Sequence, residues 1–197
     1  MTGLVLPFLS YAVVTTFTPG PNNVTASALG IRLGYRRSLS CLLGMAGGFF
    51  GLMLASGLLT GFLLRTYRVV APWVRWIGVA YMAWLAVSLF LPHRAKAGKK
   101  TEEATFLSGF LLQLANPKVI LYGITIYTSF ARLIATTVPV VFLSAFGLSG
   151  LGFSSVSLWA LTGTALGRFM RNPAFRLAYD MLMALLLAWC AWSIATH

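Results

Sequence analysis

Acidic side chains are nearly absent from this chain. The 197 residues include three carboxylates, Glu102, Glu103 and Asp180, against 15 Lys and Arg, and only 9% of the residues are charged. Soluble domains carry about 25% charged residues, whereas 58% of this chain is hydrophobic. This composition excludes an ordinary soluble domain. It also excludes an enzyme with ionisable residues clustered at one interface, so we expect no catalytic residue.

Cysteine and histidine are also scarce. Cys41 and Cys190 lie in apolar segments, His93 lies in a basic stretch, and His197 is the last residue. Two such cysteines form neither a disulfide framework nor a metal pattern. The glycine-rich phosphate loop, the nucleophile elbow and the HExxH motif are missing as well. We therefore expect no metal, no cofactor and no step driven by a nucleotide bound to this chain.

Long apolar runs make up most of the sequence. A helix needs roughly 20 apolar residues to cross a bilayer, and we predict spans at about 4–28, 39–64, 72–91, 106–130, 138–166 and 175–195. The first run does not resemble a signal peptide, because residues 1–10 carry no positive charge and no small-residue cleavage site follows. The predicted fold is all-α, a polytopic protein whose six transmembrane helices are surrounded by lipid.

The formal net charge of +12 suggests nucleic-acid binding at first sight. Fourteen of the fifteen Lys and Arg residues, all but Lys118, lie instead in or beside short connections between apolar runs, which is typical of membrane topology, so we expect no nucleic-acid partner. One side has Arg32, Arg36, Arg37, Arg94, Lys96, Lys99, Lys100, Arg168, Arg171 and Arg176; the other has Arg65, Arg68, Arg75 and Arg132. The positive-inside rule then predicts a cytoplasmic linker at 92–105 and both termini outside.

Prolines interrupt the first and the fourth apolar run. Residues 18–23 are Thr-Pro-Gly-Pro-Asn-Asn, and residues 116–118 are Asn-Pro-Lys. Proline lacks a backbone donor and clashes with the preceding turn, so each helix must open there. Opened backbone inside a membrane is tolerated only where it is buried in protein or lines a cavity. Two interrupted spans at matching places in two halves indicate the binding site of a secondary transporter.

The two halves of the chain are weakly similar to each other. Pro19 and Pro117 are 98 residues apart, as are the Phe-Leu-Ser tripeptides beginning at Phe8 and Phe106. Because each half has three spans, the second half must insert upside down relative to the first. We predict one transmembrane domain built as an inverted repeat, with three-helix units at residues 1–98 and 99–197.

The first break offers polar groups that suit a zwitterion. A helix restarting after Pro21 presents N–H groups and a positive dipole end to a carboxylate. Gly20 permits a sharp turn, and two asparagines supply donors and acceptors. The alternative is a structural kink at which the asparagines cap loose backbone. The predicted substrate-binding residues here are Pro19, Gly20, Pro21, Asn22 and Asn23.

The second break adds a lysine well inside its span. A lysine near the bilayer centre costs roughly 2.5–3.5 kcal/mol, which favours a water-filled cavity, a partner or a substrate around Lys118. Snorkelling to the interface is the alternative, although Lys118 is far from both ends of its span. The predicted substrate-binding residues here are Gln113, Asn116, Pro117, Lys118 and Tyr122.

Asp180 is the only acid inside a predicted span. It is a candidate coupling residue that would pair with Lys118, accept a substrate ammonium or relay a proton. The competing interpretation is a local ion pair, because Arg176 precedes it by four residues near the start of the helix.

Small residues recur at four-residue intervals in the second and fifth runs, which lets membrane helices approach closely. One interpretation is tight packing within the chain, and the other is a homodimer face or a sliding surface. The pairs are Gly44 with Gly48, Gly57 with Gly61, and Gly163 with Gly167.

Both breaks lie in stretches that resemble known signatures. Residues 18–23, followed by Gly-Tyr-Arg-Arg-Ser at 34–38, resemble the opening signature of the LysE/RhtB family of amino-acid exporters. Residues 110–118 resemble the second signature of that family, and the likeness extends over essentially the whole chain. Within the family, residues 118–125 and 184–191 are most similar to the cysteine/O-acetylserine efflux proteins.

This resemblance implies an inner-membrane protein of bacteria that exports small amino acids or derivatives in exchange for protons. It supports a translocation site at residues 19–23 and 116–118. Many relatives have an acid near the position of Phe49, where this chain has none, so Asp180 is the candidate substitute for a coupling acid. A pocket of Asn, Gln and Tyr without a strong counter-charge suits a small neutral substrate. The alternatives are an exporter of another solute with the same fold, or a non-transporting membrane subunit.

Overall fold

The computed structural model describes residues 2–90 and 104–196, and nearly all of these are helical. Most of the linker predicted at 92–105, with His93, Glu102 and Glu103, lies outside the described residues, as does His197. The helices are α1 (Thr2–Phe17), α2 (Pro21–Leu33), α3 (Tyr35–Leu58), α4 (Thr60–Ser88), α5 (Phe106–Leu114), α6 (Pro117–Ser129), α7 (Ala131–Ile134), α8 (Val138–Leu166) and α9 (Pro173–Thr196), with a 3₁₀ turn at Gly167–Arg171.

Four stretches of helix are long and apolar enough to cross a membrane, namely Tyr35–Leu58, Arg68–Ser88, Val138–Arg171 and Pro173–Thr196. Two further spans result if each bent pair counts as one broken span. The pair α1 and α2 bends by 46°, and the pair α5 and α6 bends by 62°. Both bends occur where the prolines predicted them. The prediction of an all-α polytopic membrane protein is confirmed.

The predicted connection between the second and third spans was wrong. We expected a span to end near Leu64 and the next to begin at Pro72, but α3 ends at Leu58 and α4 begins at Thr60. The Thr60 hydroxyl donates to the carbonyls of Ser56 and Gly57, at 3.0 and 2.7 Å, and so satisfies the end of α3. The basic residues that we assigned to a loop continue the helix instead, because arginine is a good helix former.

Glycines bring the helix backbones together along two seams. In the seam between α2 and α8, Gly30 lies against the Ala160 carbonyl and Gly163 against the Ser27 carbonyl. In the seam between α3 and α5, Gly44 lies against the Phe106 carbonyl. A Cβ on any of these glycines would overlap the facing backbone. The small residues therefore serve packing within the chain at these positions, whereas Gly51 and Gly61 face open space.

Helix α4 packs against α9 and α6 on another flank. Met82 packs with Cys190 and Ala191, and Val79 and Ile194 pack against the same cluster. Farther along α4, Leu85 and Leu89 pack with Met183 and Leu187 of α9. The two helices are therefore antiparallel, and the beginning of α4 lies near the end of α9.

Candidate functional site

The two breaks are joined by a chain of buried amides. The Asn22 side chain donates from Nδ2 to Oε1 of Gln113, and its Oδ1 accepts from Nδ2 of Asn116 at 2.6 Å. These three residues are 8%, 2% and 2% exposed, respectively. Asn22 belongs to the first half of the chain and its two partners to the second, so the network ties the halves together at their breaks.

Side chains satisfy the backbone carbonyls released at the first break. Asn23 Nδ2 donates to the carbonyls of Thr16 and Thr18, at 3.2 and 3.0 Å. Ser155 of α8 also donates to the Thr16 carbonyl, at 2.9 Å. Asn23 thus has the capping role that we gave as the alternative to substrate binding. Ser155 belongs to the fifth span and was not among the predicted site residues.

Lys118 extends from the second break across to the first. Its Nζ donates to the Thr18 carbonyl at 2.8 Å, which uses one of its three N–H donors. Its stem passes over Gly20, where a Cβ would lie 2.8 Å from the lysine Cδ. Among the described residues, no carboxylate forms an ion pair with Lys118. Lys118 is therefore partly buried and has N–H donors available to a further acceptor.

The two helices that restart after the breaks differ at their first turns. At α6, Asn116 Oδ1 accepts from the Lys118 backbone N–H at 3.0 Å and so caps the helix. At α2, Gly20 stands at the cap position in extended conformation, and no side chain caps the turn. The positive end of α2 is left for another acceptor. The Lys118 ammonium, beside Gly20, adds a full charge to it.

A small cavity, here called the central cavity, lies between the breaks. It has a volume of about 50 Å³, well below the roughly 300–1,000 Å³ typical of ligand pockets. Two hydroxyls on its wall, Thr16 Oγ1 and Tyr122 OH, are buried, lie near each other and make no hydrogen bond of normal geometry. Buried polar groups usually have partners, so these two hydroxyls are candidate contacts for a ligand.

A second cavity, here called the large cavity, measures about 370 Å³ and lies among α1, α4, α6 and α9. It shares Thr15, Lys118 and Tyr122 with the central cavity. The central cavity and the large cavity therefore meet at Lys118.

Eight of the ten predicted substrate-binding residues line the central cavity, and Pro19 and Pro117 do not. These two prolines open the helices, and the residues beside them line the cavity. Phe49 also lines the central cavity. Thr15, Thr16 and Ser155 also line the central cavity and were not predicted from the sequence. The two threonines lie within one turn of the first break, and this closeness could have identified them.

The predicted coupling residue lies elsewhere. Asp180 Oδ2 is 3.9 Å from Arg176 Nε, and the two side chains are 25% and 66% exposed. Asp180 lines neither cavity. This geometry is that of the local ion pair we considered as its alternative role.

The chain is similar to known proteins over nearly its full length. The family model described as LysE type translocator matches residues 13–197. A cysteine/O-acetylserine efflux protein of Klebsiella pneumoniae is 35% identical over 189 residues, and one of Salmonella typhimurium is 32% identical over 188 residues. Each alignment covers 95% of this chain and 95% of the relative. No solved structure matches the chain.

Proposed function

Because the chain belongs to the LysE family of translocators, we propose that it exports small neutral amino acids or their derivatives, like cysteine and O-acetylserine, across the bacterial inner membrane. The observation that carries the proposal is that a partly buried lysine and two buried hydroxyls line one cavity between two broken helices. A translocator needs no catalytic residue, and we propose no enzymatic step.

The substrate carboxylate binds at the start of α2. The N–H groups there have no side-chain cap, and the Lys118 ammonium lies against Gly20 at the same place. A carboxylate in this position would receive charge-assisted hydrogen bonds from the ammonium and favourable interaction with the helix dipole. Gly20 is needed because a side chain there would occupy the space of the lysine stem.

The substrate ammonium binds to hydroxyl oxygens on the opposite wall. Thr16 Oγ1 and Tyr122 OH lie near each other, and each hydroxyl oxygen has a lone pair available to an ammonium donor. No Asp or Glu within residues 2–90 and 104–196 lines the central cavity, so these residues supply no counter-charge for a second ammonium, as in lysine. The remaining wall includes Met45, Phe49 and Val156, which suits a short side chain of low polarity.

Export requires the central cavity to expand and close in turn. At about 50 Å³ the central cavity is contracted, and the large cavity lies beside it. We propose that the three-helix units 1–98 and 99–197 form an inverted repeat and rock against each other, with both termini outside. The two glycine seams then close the cytoplasmic side, because α2 leads to the first basic connection and α5 follows the linker.

Exchange for protons is the coupling that we propose. Among the described residues, Lys118 is the only Asp, Glu, Lys, Arg or His lining the central cavity, and it is the group placed to change protonation when the substrate leaves. Asp180 is the second candidate, and its distance from both cavities argues for a lesser role. A homodimer remains a prediction, for which the open space over Gly51 and Gly61 offers a surface.

The test is efflux from cells that overproduce the protein. Cells loaded with labelled cysteine, O-acetylserine, leucine or lysine are followed with wild type, Lys118→Ala and an empty vector. We expect faster loss of the small neutral substrates than of lysine, and loss of that advantage in Lys118→Ala at equal membrane abundance. Efflux of lysine alone would indicate another solute, and absence of any flux from a well-inserted protein would favour a non-transporting subunit.

A further inference from the structure

Arg75 contributes a second positive charge to the large cavity. It lies in α4, one turn before Gly78, where a Cβ would be 3.4 Å from Pro117 and 3.7 Å from Leu121 of α6. A helical turn advances about 5 Å. Arg75 of α4 and Lys118 of α6 both line the large cavity, together with Ser193 and Ile194 near the end of α9.

No described residue forms an ion pair or a hydrogen bond with the Arg75 side chain. It is half-buried, and an unpaired arginine in a span is unfavourable unless water, a partner or a ligand surrounds it. In the part of the chain that the structure describes, neither Asp nor Glu lines the large cavity. By contrast, Arg65 and Arg68 on the same helix are exposed and do not line it.

Several hydroxyl groups line the large cavity together with Lys118 and Arg75. Lys118, Tyr122 and Thr125 follow one another along one face of α6, at spacings of four and three residues. All three line the large cavity, as does Thr18 at the end of α1. The volume of about 370 Å³ falls within the range of ligand pockets, whereas the central cavity is too small in this conformation.

We propose that Arg75 forms a second carboxylate subsite, which binds the exported amino acid in the large cavity after it leaves Lys118. This inference rests on the proposed function for the identity of the ligand. The guanidinium supplies up to five N–H donors in a planar fork that fits a carboxylate. A substrate that moves outward along α6 passes from one cation to the next and is not released into an uncharged space.

The subsite is tested by protection of a cysteine in the cavity. The reporter is Thr125→Cys in a background without native thiols (Cys41→Ala, Cys190→Ala), purified into phosphatidylcholine nanodiscs whose two faces are both accessible. The rate of modification by a charged methanethiosulfonate is measured against increasing O-acetylserine. The parallel ligand is O-acetylethanolamine, which lacks only the carboxylate.

We expect O-acetylserine to slow the modification and O-acetylethanolamine to have little effect. Arg75→Gln should raise the half-protective concentration of O-acetylserine about tenfold or more, as expected for loss of a charge-assisted hydrogen bond. Arg75→Lys should restore most of the protection. Arg68→Gln is the matched control, because it removes the same charge from the same helix outside the cavity, and it should change protection less than about twofold.

Equal protection in Arg75→Gln and the reporter background would overturn the proposal, as would equal protection by the two ligands or none by O-acetylserine. Slower modification on adding phosphatidylglycerol, without amino acid, would assign Arg75 to a lipid phosphate and also overturn it. Protection that depends on Arg75 in a protein that exports no amino acid from cells would leave the subsite standing and refute the proposed function instead.

Discussion

The two helix breaks occupy matching places in the two halves, yet they are stabilised in opposite ways. The second break is capped by its own Asn116, whose Oδ1 accepts from the Lys118 backbone N–H. The first break has no side-chain cap of its own, and it receives hydrogen bonds from Asn23, Ser155 and Lys118. The second break is therefore capped by its own residue, whereas the first combines its own Asn23 with Ser155 of α8 and Lys118 of α6.

The difference follows from the residues at corresponding positions. With an offset of 98, Asn116 corresponds to Thr18 and Lys118 corresponds to Gly20. The half with the lysine fills the space that the half with the glycine leaves empty. An inverted repeat made of identical halves would place two lysines or two glycines at the centre. The departure from symmetry produces a single cation beside a single uncapped helix start, which gives a zwitterion one orientation.

The largest effect is expected at Asn22, which links the two breaks. Asn22→Leu removes both hydrogen bonds and leaves Gln113 Oε1 and Asn116 Nδ2 buried without the partner that each has in the wild type. Buried groups left unsatisfied cost about 1–3 kcal/mol each, so we expect thermal unfolding in detergent at a clearly lower temperature and no measurable efflux.

The matched control for this prediction is Asn172→Ala. Asn172 caps α9 from an exposed position, with Oδ1 accepting from the Ala174 N–H at 2.9 Å. Loss of such a cap costs about 1 kcal/mol, and efflux should persist. If Asn22→Leu were as stable as Asn172→Ala, the amide network would not be what holds the breaks together.

Gly20→Ala tests whether the first break needs its empty space. The added Cβ would lie 2.8 Å from Cδ and 3.0 Å from Nζ of Lys118, so the flexible lysine must move and give up its bond to the Thr18 carbonyl. A hydrogen bond to a charged group contributes about 1.5–3 kcal/mol, and we expect efflux to fall roughly 10-fold at normal membrane abundance.

Gly61→Ala is the control, because nothing lies within 4 Å of a Cβ at that position. Efflux should be unaffected in this variant. Unchanged efflux in Gly20→Ala as well would mean that the contrast between glycine and lysine has no part in the function.

Much of this arrangement could be read from the sequence, and the reasons for the rest are physical. Proline has no N–H, so the positions of both breaks followed directly from Pro19 and Pro117. The partner of each freed polar group depends on which helices meet across the molecule, so the bond between Asn22 and Asn116 could not be predicted. Arg75 appeared in the sequence only as a basic residue on the less basic side, because nothing local tells a cavity wall from a loop.

Substitutions at Thr16 and Tyr122 allow an effect on ligand binding to be measured separately from an effect on stability. Thr16→Val and Tyr122→Phe each remove a buried oxygen that lacks a hydrogen bond, so the free energy of unfolding should stay the same or rise. If the oxygens accept from the substrate ammonium, the substrate concentration at half-maximal efflux should rise about 2- to 10-fold, the value of one ordinary hydrogen bond.

A binding role predicts unchanged or higher stability together with a higher half-maximal substrate concentration, whereas a structural role predicts lower stability. Lower stability in both variants would mean that the hydroxyls have partners within the protein. The control is Thr66→Val, which removes an exposed hydroxyl bonded to the Phe62 carbonyl at 3.0 Å and should leave the half-maximal concentration unchanged.

The smallest effect is expected at Asp180, outside both breaks. Its partner Arg176 is 66% exposed and 3.9 Å away, and such surface pairs contribute about 0.2–1 kcal/mol. Asp180→Asn should therefore change efflux less than about twofold, and efflux should keep its dependence on an imposed proton gradient. If the variant still exchanged substrate for substrate but lost its response to the gradient, proton coupling would lie at Asp180 rather than at Lys118. The unequal breaks would then orient the substrate without coupling its movement to protons.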